Sequence, residues 1–136
     1  PQEAAFKRGT PGSAGIDLIA CIEHKLTLYQ NESRLINAGF KLYIKSPNIV
    51  GFILPRSGKG SKGLVIGNLT GVIDSDYQGD LKICLWNRSE SPIQIFPGEA
   101  VAQLIFLPVY HPTLKVVEAF STNTIRGEGG FGSTSI

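Results

Sequence analysis

Along this chain, apolar side chains recur at every second position or gather into short runs. The clearest segments are 25–29, 34–44, 49–54, 71–73, 80–87, 93–96, 100–107 and 114–119. Gly, Pro, Asn or Ser bounds each of them. Period-two segments of this length, separated by turn formers, predict half-buried β-strands. No window of about 11 residues keeps an apolar stripe at helical spacing. Segment 100–107 comes nearest, but Pro97-Gly98 and Pro108 fence it to strand length. The pattern predicts an all-β domain over 1–136, a jelly-roll-like sandwich or barrel. Residues 121–136 break the pattern. They are polar and carry Gly127, Gly129, Gly130 and Gly132. Two readings stay open for this stretch: a frayed tail, or an arm that orders only over a ligand.

Composition narrows the function classes. A chain of 136 residues with 42% hydrophobic and 18% charged side chains is one domain, long enough to fold without staples. Lys plus Arg exceed Asp plus Glu by only two, too little to indicate nucleic-acid binding. Sixteen Gly and eight Pro argue against helical bundles. Cys21 and Cys84 make neither a disulfide scaffold nor a zinc set. Both lie in apolar runs and are expected to be buried, reduced thiols. No apolar run of about 18 residues is present, so no membrane helix is expected. No signal-peptide pattern stands at the start, and a cytoplasmic setting is expected (or a host-cell interior, for a viral gene).

Several motifs fail on inspection. Gly58-Lys59-Gly60-Ser61-Lys62-Gly63 and Gly127-Glu128-Gly129-Gly130-Phe131-Gly132 both match G-x-G-x-x-G. A dinucleotide turn must lead from a strand into a helix, and neither is placed to do so. Both could still cradle phosphate through glycine amides. Asp74-Ser75-Asp76-Tyr77-Gln78-Gly79-Asp80 opens like a calcium loop, but its twelfth position is Leu85, not a bidentate Glu. His24 and His111 have no ligand-spaced partners. No Ser sits in a nucleophile elbow, and neither Cys has a nearby His. A water nucleophile with a carboxylate base fits better than covalent catalysis.

Taken together, the pieces form a constellation. In order come Ala14-Gly15-Ile16-Asp17-Leu18, Pro55-Arg56-Ser57-Gly58, Gly67-Asn68 with Gly71-Val72-Ile73-Asp74-Ser75-Asp76-Tyr77-Gln78-Gly79, Gly98-Glu99-Ala100-Val101-Ala102-Gln103-Leu104, and Arg126-Gly127-Glu128-Gly129-Gly130-Phe131-Gly132-Ser133-Thr134. This series resembles the five ordered motifs of the trimeric dUTP pyrophosphatases, the dUTPases. It spans about 13–135, with 74–79 and 126–134 the most specific parts.

The resemblance implies a homotrimer of jelly-roll subunits with shared active sites. It implies cleavage of dUTP to dUMP and pyrophosphate with Mg²⁺, which keeps uracil out of DNA and supplies dUMP for dTMP synthesis. Asp74 matches the general base that deprotonates a water for attack on the α-phosphorus. Tyr77 matches the ring under the deoxyribose, where a 2′-hydroxyl has no space. Asn68, Val72, Ile73 and the main chain of Lys82 match the hairpin that reads uracil. Arg56, Ser57, Gly58 and Gln103 match phosphate-binding positions. Asp17 is expected near the metal or in local structure without being a direct ligand, since the metal would sit on triphosphate oxygens and waters. Arg126, Gly130, Phe131, Gly132 and Ser133 match the closing arm, with Phe131 on the uracil face and Arg126 on the γ-phosphate. The arm of one chain would close over a neighbour's site.

Two other readings belong to different classes. A dCTP deaminase-like relative would need a Glu base, and no Glu stands between Glu32 and Glu90. A non-catalytic protein-binding regulator on the same fold would not need Asp74, Tyr77, Arg126 and Phe131 intact.

Overall fold

A computed structural model of the chain describes Phe6 and residues 8–132. Among these residues the strands are β1 (Ile16–Ile19), β2 (Leu26–Leu28), β3 (Ser33–Lys41), β4 (Ile49–Leu54), β5 (Leu64–Ile66), β6 (Gly71–Ile73), β7 (Asp80–Asn87), β8 (Ile93–Ile95) and β9 (Ala100–Pro108). One short helix, α1 (Ser57–Ser61), follows β4. The sheets have the orders β1-β9-β4-β6, β3-β7-β5 and β2-β8, and every pairing is antiparallel. The result is the jelly-roll-like all-β architecture that the alternating pattern predicts.

Strand β7 shows the cause most plainly. Leu81, Ile83 and Leu85 are fully buried, while Asp80 and Lys82 face out. Ile36 and Ala38 of β3 and Leu64 and Ile66 of β5 flank the same core. Leu18, Ile53, Val101, Ala102 and Leu104 of the larger sheet join it. Each such aliphatic side chain contributes about 1.5–3 kcal/mol by leaving water. Alternation fails at one point that matters below. Val101 and Ala102 are both buried, and the register with β1 slips there, with Leu18 opposite Ala102 and Ile19 opposite Ala100. This bulge resets the faces so that Gln103 stands opposite Asp17, both half-exposed on the same side.

Among the described residues the core also holds one polar side chain, Asn87. Its Nδ2 donates to the carbonyls of Leu28 (2.9 Å) and Ser91 (2.8 Å). Its Oδ1 accepts from the Ser89 amide (2.9 Å) and hydroxyl (2.7 Å). The amide therefore ties the turn after β7 to β2 with every polar atom matched. At the β2–β3 turn, the Tyr29 N–H and the Arg34 guanidinium hold the Glu32 carboxyl below its ordinary value.

Three expectations are corrected. Segment 114–119 forms no strand. Leu114 and Val116 project outward, and no strand of this chain runs beside them among the described residues. Their alternation marks a face without supplying a neighbour to cover it. Second, Cys21 is exposed and Cys84 half-buried, and both are free thiols. Cys21 stands between Ala20 and Ile22, which both pack on the core, so its own side chain falls on the opposite side. Third, 57–61 is a helical turn in a chain whose pattern predicted strands alone. Five residues are too few to leave a periodic signal.

Candidate active site

The sequence-matched residues gather at two cavities. The first, about 450 Å³, lies where β1, β9 and the β4–α1 corner meet, and Asp17, Arg56, Ser57, Gly58 and Gln103 line it. Arg56 is the extended residue that opens α1, with φ −78° and ψ 142°. Its Nε donates to Asp17 Oδ1 at 2.8 Å and its Nη2 reaches Asp17 Oδ2 at 3.3 Å. This planar fork fixes the guanidinium and uses two of its five N–H donors. Gln103 donates from Nε2 to the Pro55 carbonyl at 2.9 Å, tying β9 to the same corner. Gly15 leaves room for it, because a Cβ there would overlap Gln103 Oε1 and displace the side-chain amide. Gly9 and Ser13 complete the wall, two residues the sequence did not single out.

Helix α1 carries Ser57 and Gly58 and buries none of its own residues. Its Lys59 Nζ contacts Glu99 Oε1 on the β8–β9 turn. Glu99 Oε2 also accepts the Phe96 N–H at 2.9 Å. Partial burial pushes the Glu99 carboxyl up, but the hydrogen bonds from Lys59 and Phe96 outweigh it and leave the carboxyl below its ordinary value.

The second cavity, about 220 Å³, is lined by Ile53, Asn68, Gly71, Val72, Ile73, Asp74, Tyr77 and Lys82. It lies between the β5–β6 turn and the β6–β7 turn. The Tyr77 ring is held at its hydroxyl, which donates to the Asp80 carbonyl at 2.9 Å, and the backbone N–H of Tyr77 donates to the Asp74 carbonyl at 3.2 Å in the turn that carries it. The ring lies so close to Gly79 that a Cβ there would stand 2.6 Å from Tyr77 Cζ. Glycine at 79 is thus a condition of the ring's position. Lys82 presents its main chain in a defined way. The Cys84 carbonyl accepts from the Gly67 N–H just beyond β5. Backbone groups of one strand alternate sides, so the N–H and C=O of Lys82 point the same way as those of Cys84, past the last β5 pair at Ile66–Leu85. Asp74 is exposed and also borders a third cavity of about 520 Å³ beside His111, whose ring nitrogen meets the Pro47 carbonyl at 2.9 Å.

The first two cavities share no lining residue. The sequence-matched residues are therefore brought together as two sets, not one. Arg126, Gly130, Phe131 and Gly132 line neither cavity. Arg126 Nε donates to the Gly129 carbonyl at 2.8 Å, a turn within the arm itself, and Phe131 is fully exposed. Ser133 lies outside the described residues.

Sequence reasoning missed the Asp17–Arg56 fork and the Lys59–Glu99 contact. A charged residue inside the otherwise apolar alternation of β1 was the available signal for the first. Nothing in the sequence signals the second, because residues 40 apart meet only through the fold.

Among the described residues, no three His, Cys, Asp or Glu side chains converge on one point. Both Asp17 oxygens are engaged by Arg56. Such a donor set fits an Mg²⁺ that takes its ligands from substrate phosphates and water, with Asp17 able to hold a water on its remaining lone pairs.

The dUTPase family model matches residues 2–135. A deoxyuridine 5′-triphosphate nucleotidohydrolase of Thiobacillus denitrificans is 52% identical over 92% of this chain and 86% of its own length. The enzyme of the same name from Psychrobacter sp. is 51% identical over 92% and 82%. Among solved structures, the Staphylococcus bacteriophage 80alpha dUTPase with dUpNHpp matches with TM-score 0.86 and 30% identity over 96% of this chain and 90% of that one. A mutant dUTPase of phage phi11, whose structure describes coordination of a structural Mg(II) ion, matches with TM-score 0.75 and 28% identity over 85% and 90%. With matched motifs lining two cavities on a shared fold, the chain belongs to the dUTPase family.

Proposed function

We propose that this chain hydrolyses dUTP to dUMP and pyrophosphate, with Asp74 as the general base. The observation that carries the reading is the second cavity, where Asp74, Tyr77 and the Lys82 main chain sit on one hairpin system. On this reading uracil meets the backbone of 72–73 and 82, which can offer both a donor and an acceptor, as a pairing base would. Cytosine is rejected because its edge inverts one of these partners. The deoxyribose lies on the Tyr77 ring, and the fixed ring leaves a 2′-hydroxyl no space.

The α-phosphorus then comes to Asp74. A water held by the carboxylate attacks phosphorus, its proton passes to Asp74, and the bond from α-phosphorus to the bridging oxygen breaks. Pyrophosphate leaves with that oxygen. Arg56, Ser57, Gly58 and Gln103 bind the phosphate chain. The Asp17 fork matters here because it orients Arg56 before substrate arrives, so no ordering is needed at binding. Mg²⁺, bound to the phosphates, would neutralise charge on the triphosphate. Asp17 and water are the groups through which this chain would steady it.

A homotrimer with shared sites follows from the same reading. The cavity read as phosphate-binding and the cavity read as uridine-binding share no lining residue, as expected on one chain of an assembly in which a second copy completes each site. The exposed apolar residues Val72, Phe106, Leu107, Leu114 and Val116 offer surface for such contacts. Residues 121–136 serve as the arm, with Phe131 over uracil and Arg126 on the γ-phosphate. No helix among the described residues is long and apolar enough to cross a membrane.

The test is pyrophosphate release with Mg²⁺ from dUTP, UTP, dCTP and dTTP, with Asp74→Asn as the paired variant. The expected outcome is turnover of dUTP alone, and a fall of at least ~10²-fold in Asp74→Asn with dUTP still bound. Near-normal turnover in that variant would reject Asp74 as the base, and ammonia release from dCTP would reject the reaction.

A further inference from the structure

We propose that Glu99 is a positioning residue for the phosphate half of the site, acting through Lys59. The proposal rests on reading the Asp17–Arg56–Ser57–Gly58 cavity as the phosphate half. Its starting point is an imbalance in α1. The helix has five residues, two of them glycine, and buries none of them. A segment that short and that rich in glycine does not hold its shape by propensity. Nor does burial of an apolar face anchor it. Yet Ser57 and Gly58 must present their amides and hydroxyl at a fixed place for phosphate oxygens to find them.

Ionic and hydrogen-bonded contacts to the sheet take the place of burial. At the N-terminal end, Arg56 forks onto Asp17 of β1. One turn later, Lys59 reaches Glu99. Glu99 is itself well seated. Its second carboxylate oxygen accepts the Phe96 N–H, and its main-chain carbonyl accepts the Ala20 N–H at 2.8 Å. The Gly98 N–H returns to the Ala20 carbonyl at 2.9 Å. Glu99 thus stands on a turn bound to the end of β1, the strand that also carries Asp17. Both anchors of α1 lead back to the same strand, so the spacing of Arg56 and Ser57 from Asp17 is set at two points. Lys59 and Glu99 side chains are each 27% exposed, sheltered enough for the contact to persist in salt. Lys59 acts here as a tether, with its charge already matched by Glu99.

The experiment compares binding of dUpNHpp and of deoxyuridine, which has no phosphates, to the full chain and to Glu99→Gln, Lys59→Gln, the double variant and Lys59→Arg. Gln at 99 keeps one oxygen for the Phe96 N–H and turns an NH2 donor toward Lys59, so the charge and the Lys59 hydrogen bond are lost together. Each single Gln variant should bind dUpNHpp about five- to tenfold more weakly, and the double variant no more weakly than either, because both remove one shared contact. Lys59→Arg should bind like wild type. Deoxyuridine affinity should stay within about twofold throughout, a selectivity that general loss of structure would not leave. Losses that multiply in the double variant would overturn the proposal. Tighter dUpNHpp binding by Glu99→Gln would also overturn it, by making Lys59 a phosphate ligand that Glu99 restrains. Wild type that hydrolyses dUTP while Glu99→Gln binds dUpNHpp equally well would remove the positioning role alone. Wild type that neither hydrolyses dUTP nor binds dUpNHpp would remove the functional reading, and the proposal with it.

Discussion

Replacing Asp17 by Asn separates stability from function at the Arg56 fork. The Arg56 and Asp17 side chains are 38% and 45% exposed. An ion pair that open to water contributes about 0–1 kcal/mol to folding. For a chain of this length, 1 kcal/mol moves Tm by about 3–4 °C, so Asp17→Asn should melt no more than about 4 °C below wild type. The functional loss should be larger. Asn offers one oxygen where the carboxylate offers two, so the guanidinium is no longer held by both Nε and Nη2. An Arg that must then be ordered at binding forfeits much of a charge-assisted contact, about 1.5–3 kcal/mol. That corresponds to roughly 10- to 150-fold in kcat/KM for dUTP, read by initial rates of pyrophosphate release. Deoxyuridine affinity, set at the other cavity, should not change. If Asp17→Asn kept full activity, the fork would be ornamental. If it lost activity only in step with a large fall in Tm, Asp17 would be a structural residue and the orientation argument would fail.

The remaining predictions address other parts of the site and core. Tyr77→Ala should admit UTP as a substrate in competition assays, since the ring fixed by the Asp80 carbonyl is what crowds C2′; unchanged sugar selectivity would count against it. A chain ending at Ile125 should keep the fold and Tm, because Arg126, Phe131 and Gly132 touch no core residue, yet lose most of its kcat; full activity would dismiss the arm as a lid. Asn87→Ala removes four hydrogen bonds from a fully buried side chain, each worth about 1 kcal/mol net, and should lower Tm by roughly 10–15 °C; a shift of only a few degrees would mean that water replaces the amide.

Why some of this was legible in the sequence and some was not has a physical basis. Strands β4, β6 and β7 fall where alternation places them, because each has one face to bury and a turn former at each end. The same rule failed at 114–119. Alternation records that a face wants covering, and it is silent on whether the cover belongs to the same chain. The bulge at Val101 was invisible for a related reason: two adjacent apolar residues look like a thickened run until a partner strand fixes the register. The second cavity was legible as a segment, since most of its residues lie within 68–82. The first cavity was legible only as scattered motifs. Its defining contact joins residues 39 apart in the chain, and no local pattern encodes a pairing at that distance.

The arm and the split site together suggest how cleavage is coupled to release. Residues 126–132 bury almost nothing in the free chain and are held by turns of their own, such as Arg126 onto the Gly129 carbonyl. Closing them over substrate costs about 1–2 kcal/mol per residue in backbone entropy. On the proposed reading, uracil stacking by Phe131 offsets only part of this, about 1–3 kcal/mol. Charge-assisted contacts from Arg126 and the arm amides to the outer phosphates must supply the rest. Those phosphates are the ones that hydrolysis detaches. Once the bond between the α-phosphorus and the bridging oxygen is broken, dUMP retains the stacking contact and loses the ionic ones. On that reading the closed arm then has no ligand able to hold it, and it would open because of the reaction it enclosed. The two cavities would serve the same end on the proposed reading, since each product would be left on a different half-site, and neither half alone would bind the intact nucleotide with both sets of contacts.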